Sequence, residues 1–316
     1  MSARSRLAVL AVLVGLTAAA CSSPSGSALR QSLGPLPARA AVKSTPTTTT
    51  PPDPGCTDPA KWSYAPGDVT VEQARAQLNN RDVLAVGVDQ GTLGWGFRDP
   101  LDGKLKGLEV DLLNRIALEL GVKQVVFKTL TTGDRISAVQ HHDVDMVASL
   151  LTTTCRRWSD VDFSTVYFDA HQDVLVNQDS TIRTVQDLNG QRVCATRGST
   201  SITNITGYAS KAIIYPVDSR IDCLVALQEG TVDAITSDDT VLQSFKRQEK
   251  VAQTRLLGVP LEDEPYAIAM PKHKEALVRY VNLVLDQMRH DGTLEQLYVN
   301  SLPAPVTATV PDPGYR

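Results

Sequence analysis

Three short apolar runs, Val83–Val88, Val122–Lys128 and Val144–Leu150, alternate with stretches of helical spacing, and this alternation restricts the chain to a small set of folds. Between Gly107 and Gly121 the apolar residues fall at 108, 112, 113, 116, 117 and 120, one face of a helix, with a closing glycine suited to a C-cap. Thr132–Gln140 reads as a second, shorter helix. Strand, helix, strand, helix, strand predicts a parallel α/β sheet. Ligands of such sheets gather at the C-terminal strand ends, where Asp89 and Gln90, the loop near Arg135, and Thr152 all fall.

An internal echo extends the pattern. Residues 135–150, RISAVQHHDVDMVASL, align with 223–238, CLVALQEGTVDAITSD, at a fixed offset of 88, which places a helix–strand unit in each half of the chain. The first unit runs into Thr152-Thr153-Thr154-Cys155-Arg156-Arg157, and the second ends in Ser237-Asp238-Asp239. Hydroxyls and a planar guanidinium at a strand end are suited to holding a carboxylate, since the arginine fork can bind both oxygens at once. Between the units, Arg192–Thr196 reads as a strand leading through Arg197-Gly198-Ser199-Thr200 into a helix, whose free N–H groups favour an anion. A capped helix is expected after Thr70, with Gln73 completing a capping box. Further on, Leu256–Val259 and Pro265–Met270 read as short strands and Lys274–His290 as an amphipathic helix.

The two ends of the chain carry different information. Arg4 and Arg6 precede an apolar run, Leu7–Ala20, that ends in small residues before Cys21. That run is a signal peptide rather than a span, since crossing a bilayer takes roughly 20 apolar residues. Cys21 sits where a bacterial lipobox places its acylated cysteine, although Ala18 replaces the usual leucine and plain cleavage stays open. Residues 21–55 are rich in Ser, Pro, Thr and Ala and read as a flexible tether, 56–81 as an N-terminal arm, and 303–316 as a disordered tail. Four cysteines remain in an oxidising compartment: Cys56, Cys155, Cys194 and Cys223. Three connectivities and reduced thiols are all open; pairing Cys194 with Cys223, in one half, leaves Cys56 with Cys155. A net charge of −4 gives no basic footprint for nucleic acid, and no CxxC, GxSxG, HExxH or Walker pattern occurs. No metal, cofactor or catalytic residue is expected. His171, near the middle of the chain, is the one histidine kept as a possible cleft residue.

Taken in order, VGVDQ, GLEVDLLNRIALELG, DRISAVQ, VDMVASLLTTTCRRWSDVDFS, VYFD, DLNGQRVCATRGSTS, ALQEGTVDAITSDD, PYAIAM and DGTLEQLY resemble the type II extracytoplasmic solute-binding lipoproteins of polar amino-acid ABC transporters, over about residues 82–302. The resemblance implies a two-lobed periplasmic-binding-protein type II fold with two hinge strands. Lobe one would be 82–172 plus 268–302, and lobe two 173–267.

By that resemblance Arg157 and Thr152 would hold the α-carboxylate of a free L-amino acid, with Ser199 and Thr200 closing on it from lobe two. Asp238 would pair with the ammonium, and Arg135 would meet an acidic side chain. Asp89 stands where some acid-binding members have a lysine, so glutamate, aspartate, glutamine and asparagine are all expected ligands. Trp95 or Phe97 would supply an aromatic floor, and Arg197 is a further candidate. The implied protein is a monomer and not an enzyme, lipid-anchored at the outer face of the cytoplasmic membrane, and it delivers its ligand to permease subunits. A sensor signalling to a membrane partner, or a small lyase or dehydratase on the same scaffold, is the alternative.

Overall fold

The structure, a computed structural model, describes residues 55–248, 253–302 and 309–316. The signal peptide, Cys21 and nearly all of the tether lie outside the described residues. A 3-10 turn at Pro59–Lys61 leads into α1 (Val71–Gln77), which begins with the expected box: Thr70 Oγ1 accepts from the Gln73 N–H, and Gln73 Oε1 accepts from the Thr70 N–H. The first sheet opens with β1 (Val83–Val88). A ribbon of three short strands follows, β2 (Gly91–Thr92), β3 (Gly96–Arg98) and β4 (Leu105–Lys106). Then come α2 (Leu108–Glu119), β5 (Gln124–Thr129), α3 (Arg135–Gln140), β6 (Met146–Val147), α4 (Cys155–Asp160) and β7 (Asp162–Phe163).

The ten-residue β8 (Phe168–Asn177) carries the chain into a second sheet. That sheet is built from β9 (Arg192–Thr196), α5 (Thr200–Tyr208), β10 (Ile213–Val217), α6 (Arg220–Gln228), β11 (Ala234–Asp238), α7 (Asp239–Gln248) and β12 (Thr254–Leu256). The return strand β13 (Asp263–Tyr266) and β14 (Ala269–Met270) precede α8 (Glu275–His290) and α9 (Thr293–Ser301). The first sheet has the order β5-β1-β6-β14-β7, and the second β10-β9-β11-β8-β12. In both, the strands joined through helices run parallel, as a βαβ connection requires.

Two strands join the lobes. Residues 168–171 of β8 pair antiparallel with β13, while residues 172–177 pair with β11 and β12. The expected single strand over Pro265–Met270 is thus two: β13 pairs with β8, Tyr266 bridges Thr152, and β14 pairs with β6 and β7 in the first sheet.

Helix α2 buries Leu108, Leu112, Leu113 and Ile116 completely. Each such side chain contributes roughly 1.5–3 kcal/mol over leaving it in water. Helix α8 buries Leu277, Val278, Val281, Val284, Leu285 and Met288, and packs on α1 and α9. Disulfides join Cys56 to Cys155 and Cys194 to Cys223, the second spanning β9 and α6 of one lobe. The first ties the N-terminal arm to the start of α4.

The expected disordered tail is not disordered over residues 309–316. Tyr315 forms a bridge with Ser63 and donates its hydroxyl to Asp286, and Arg289 Nε donates to the Pro311 carbonyl. The Arg316 guanidinium stacks 3.9 Å above the Tyr64 ring. Pro- and Thr-rich composition is a poor guide here, because two aromatic residues on the arm supply a surface for the arginine.

Candidate ligand cleft

The loop after β6 is the scaffold of the cleft. Leu150 adopts φ +47°, a left-handed conformation that a leucine keeps only where its surroundings enforce it. Its N–H donates to Glu109 Oε1 at 2.6 Å, and Tyr167 donates its hydroxyl to the same oxygen at 2.5 Å. Burial pushes the Glu109 carboxyl up to about 7, against these two donors. On the other side of the loop, Arg135 donates from Nε to the Thr132 carbonyl at 2.9 Å and from Nη1 to the Ser149 and Leu150 carbonyls at 2.9 and 2.8 Å. With 2% of its surface exposed, Arg135 is an internal brace of the first lobe.

Arg157 is built for contact across the cleft. Thr154 caps α4 by accepting from the Arg157 N–H at 3.1 Å, which fixes the backbone that carries the side chain. Its Nη1 donates to the Thr152 carbonyl at 2.6 Å, and its Nη2 to the Gly198 carbonyl, in the opposite lobe, at 3.0 Å. Asp238, at the end of β11, is 7% exposed and accepts from the Tyr266 hydroxyl at 2.5 Å. Burial raises its pKa, opposed by Tyr266 and then by the charges of Arg220 and Arg135. Thr152, whose carbonyl holds Arg157, is bridged to Tyr266, whose hydroxyl holds Asp238, so the two opposed groups share one crevice.

Three residues absent from the sequence reading complete the site. Arg220, the first residue of α6, reaches over the cleft: Nη1 lies 3.3 Å from Asp89 Oδ2, and Nη2 donates to the Ser149 carbonyl at 3.2 Å. A cation in the first turn of a helix opposes the helix dipole, and that mismatch is the signal which could have marked it. Glu264, on β13, is 1% exposed and accepts from Thr152 Oγ1, from Thr200 Oγ1 at 2.8 Å and from Asn204 Nδ2 at 3.2 Å. Tyr266 is the third, linking Asp238 to Thr240.

The expected positions divide accordingly. Arg157, Asp238, Asp89, Thr152 and Thr200 converge, but both threonine hydroxyls are taken by Glu264, and Asp89 also accepts from Thr92. Ser199 turns its hydroxyl back to the Thr196 carbonyl. Trp95 is 2% exposed and packs edge-on against Phe168 and Tyr266, behind the cleft. Two candidates point elsewhere. Arg197 is paired with Asp218 at 3.0 Å on the surface, where water solvates it, and Gln90 is exposed and bonded to Arg98. His171, at the hinge, is paired with Asp263.

Where the lobes touch, two glycines meet. Gly198 has φ +75°, and a Cβ on it would lie 2.7 Å from the Gly133 Cα. Gln248 adds a cross-cleft bond to the Gly91 carbonyl.

Residues 84–302 match the family model of bacterial extracellular solute-binding proteins, family 3. Among curated relatives, the glutamine-binding protein of an ABC transporter in Bacillus subtilis (strain 168) is 34% identical over 226 residues, 71% of this chain and 82% of that protein. The glutamate-binding protein of Corynebacterium glutamicum is 31% identical over 229 residues, 69% of this chain and 77% of the relative. Among solved structures, an ancestral arginine-binding protein bound to glutamine superposes with a TM-score of 0.67 at 33% identity, covering 70% of this chain and 98% of that one.

Proposed function

The chain belongs to the bacterial extracellular solute-binding proteins of family 3, and from that premise we propose that it captures one free polar amino acid between its lobes and hands it to the permease of an ABC importer. Residues 82–172 with 268–302 form one jaw and 173–267 the other. The supporting observation is the opposed pair: Arg157 from one lobe and Asp238 from the other, in one crevice, with Tyr266 holding the acid.

Burying a zwitterion costs several kcal/mol per charge unless each charge is matched. Charge-assisted hydrogen bonds contribute about 1.5–3 kcal/mol each. Arg157 takes the α-carboxylate, exchanging neutral carbonyl partners for an anion, and Asp238 takes the ammonium. At the other end Asp89 accepts from an amide, and Arg220 donates to an amide or carboxylate oxygen. Glutamine, glutamate, asparagine and aspartate fit that end, in keeping with relatives named for glutamine and glutamate. Because the anchors come from both lobes, the ligand binds the closed arrangement best and shifts the hinge equilibrium toward it. The protein acts by binding alone, at the outer face of the cytoplasmic membrane, held there through a lipid on Cys21.

A thermal-shift panel of the twenty amino acids tests this. A ligand at about 100 times its Kd adds roughly 2.7 kcal/mol of stability, so at least one of the four named amino acids should raise the melting point clearly. Arg157→Ala should abolish every response. A shift with a sugar or peptide, and none with the four, overturns the assignment. The anchor is checked by fatty-acid labelling of whole cells, which Cys21→Ser should eliminate.

A further inference from the structure

Glu264 takes the two hydroxyls that an amino-acid carboxylate was expected to use. It sits on β13, one of the two strands that join the lobes, and its donors come from both sides: Thr152 from the first lobe, Thr200 and Asn204 of α5 from the second. Its neighbours in β13, Asp263 and Pro265, project to the opposite face, so the exposed pair His171–Asp263 is not part of its surroundings. The charges acting on it most strongly are Asp238 from β11 and then Arg157 from α4.

A group gripped by both lobes is sensitive to their separation. When the lobes part, at least one set of donors leaves and water reaches the carboxyl. When they close, the carboxyl is 1% exposed and shares a dry crevice with Asp238. We propose that Glu264 is a positioning residue of the amino-acid site: it reserves Thr152 and Thr200 for itself, leaves the ligand carboxylate to Arg157, and makes capture of the ligand take up a proton. The proposal rests on the amino-acid reading above. In the closed arrangement, desolvation and then the Asp238 charge push Glu264 up to about 8, whereas a hydrated glutamate ionises near ~4.3.

The direction of the coupling is fixed. Below about pH 4.3 the carboxyl is protonated whether the lobes are open or closed, and closure costs nothing extra. As the pH rises, the open form ionises first, and closing must recover the proton, so affinity falls until the closed form also ionises near pH 8. Within that window the loss is up to about tenfold per pH unit. At pH 7 the binding event takes up close to one proton.

Isothermal titration of a responding amino acid measures this in two ways. In phosphate and Tris buffers at pH 7, whose ionisation enthalpies differ, the wild-type protein should take up about one proton per ligand. Between pH 5.5 and 7.5 its Kd should weaken at least tenfold. Glu264→Gln keeps an oxygen for the threonine hydroxyls, and a flip of the Asn204 amide meets its new N–H group; its uptake should vanish and its Kd should stay flat. Wild-type binding without proton uptake, or undiminished uptake in Glu264→Gln, overturns the proposal alone and leaves the amino-acid reading standing. Should Glu264→Gln not fold, the wild-type proton count decides by itself. Failure of every amino acid to bind, at any pH, overturns both.

Discussion

Gly198 and Gly133 touch where the lobes meet, and the geometry makes opposite predictions for replacing each with alanine. At Gly198 the backbone has φ +75°, and a Cβ would stand 2.7 Å from the Gly133 Cα and 3.3 Å from its nitrogen. Two costs are separable. The left-handed conformation costs an L-residue roughly 1–2 kcal/mol, and it is present with the lobes open or closed, so it lowers the melting point only. The clash exists only on closure. Carbon atoms need roughly 3.5 Å, so the lobes must back off by about 0.8 Å from the 2.7 Å contact. With the ligand's carboxylate held by Arg157 of the first lobe, a retreat of that size carries its second-lobe partner Asp238 out of hydrogen-bond range of the ligand ammonium. Losing one charge-assisted bond of about 1.5–3 kcal/mol weakens binding roughly 10- to 150-fold. A Cβ on Gly133, by contrast, would meet only the Arg197 carbonyl at 3.7 Å and Thr131 Oγ1 at 3.9 Å, ordinary contact distances. Titration calorimetry should therefore show a large affinity loss in Gly198→Ala and little change in Gly133→Ala. Equal affinities in the two variants would mean that the glycine contact plays no part in closure.

Glu109 gives a prediction about stability and pH. Its buried carboxyl has a pKa raised to about 7, so its stabilising contribution is complete below the unfolded value near ~4.3 and is lost as the pH rises through 7. The melting point of Glu109→Gln relative to wild type should climb from pH 5 to 8, by on the order of 3 kcal/mol in stability, and parallel curves would refute this. Reducing the Cys194–Cys223 bond, or replacing both cysteines with serine, should cost about 3–4 kcal/mol by the loop-entropy estimate for a separation of 29 residues, read in denaturant melts. Arg135→Ala orphans the buried Thr132 and Leu150 carbonyls, each costing about 1–3 kcal/mol, while Ser149 keeps Arg220 as donor; it should lower stability and affect all ligands alike. Selectivity should instead follow Arg220: Arg220→Ala should weaken acidic ligands more than their amides, and an equal loss across a calorimetric panel would exclude that role.

The fold was legible in the sequence wherever burial sets the spacing of apolar residues. The stripe at 108, 112, 113, 116, 117 and 120 became α2, and the 88-residue echo maps Met146–Val147 of β6 onto the start of β11 at Ala234. The placement of Arg157 and Asp238 beside one crevice was likewise legible, because each lies within a motif at the end of a strand. Glu264 and Arg220 were not. Their roles come from partners on the other lobe or hinge, such as Thr152, 112 residues from Glu264, and no local pattern encodes such a contact. Arg135 exposes a related limit: a sequence shows that a guanidinium is available, but not that backbone carbonyls already occupy it.

The three cleft arginines differ in what already holds them. Arg135 is fixed by carbonyls of its own lobe, so it can lend its field to the cleft but cannot turn toward a ligand without leaving the Thr132 and Leu150 carbonyls unpaired. Arg220 is already neutralised by Asp89, which makes it a donor only for a ligand group able to share or replace that partner. Arg157 is also held by neutral carbonyls, but there are only two, and one of them belongs to the opposite lobe. An incoming carboxylate can displace those carbonyls at a net gain, because a charged acceptor roughly doubles the strength of the bond. The same exchange would fail at Arg135, where the carbonyls would be left buried, and would be weaker at Arg220, where an anion already stands. On the proposed reading, the α-carboxylate, common to every amino acid, therefore falls to Arg157, and discrimination among side chains to the Asp89–Arg220 pair.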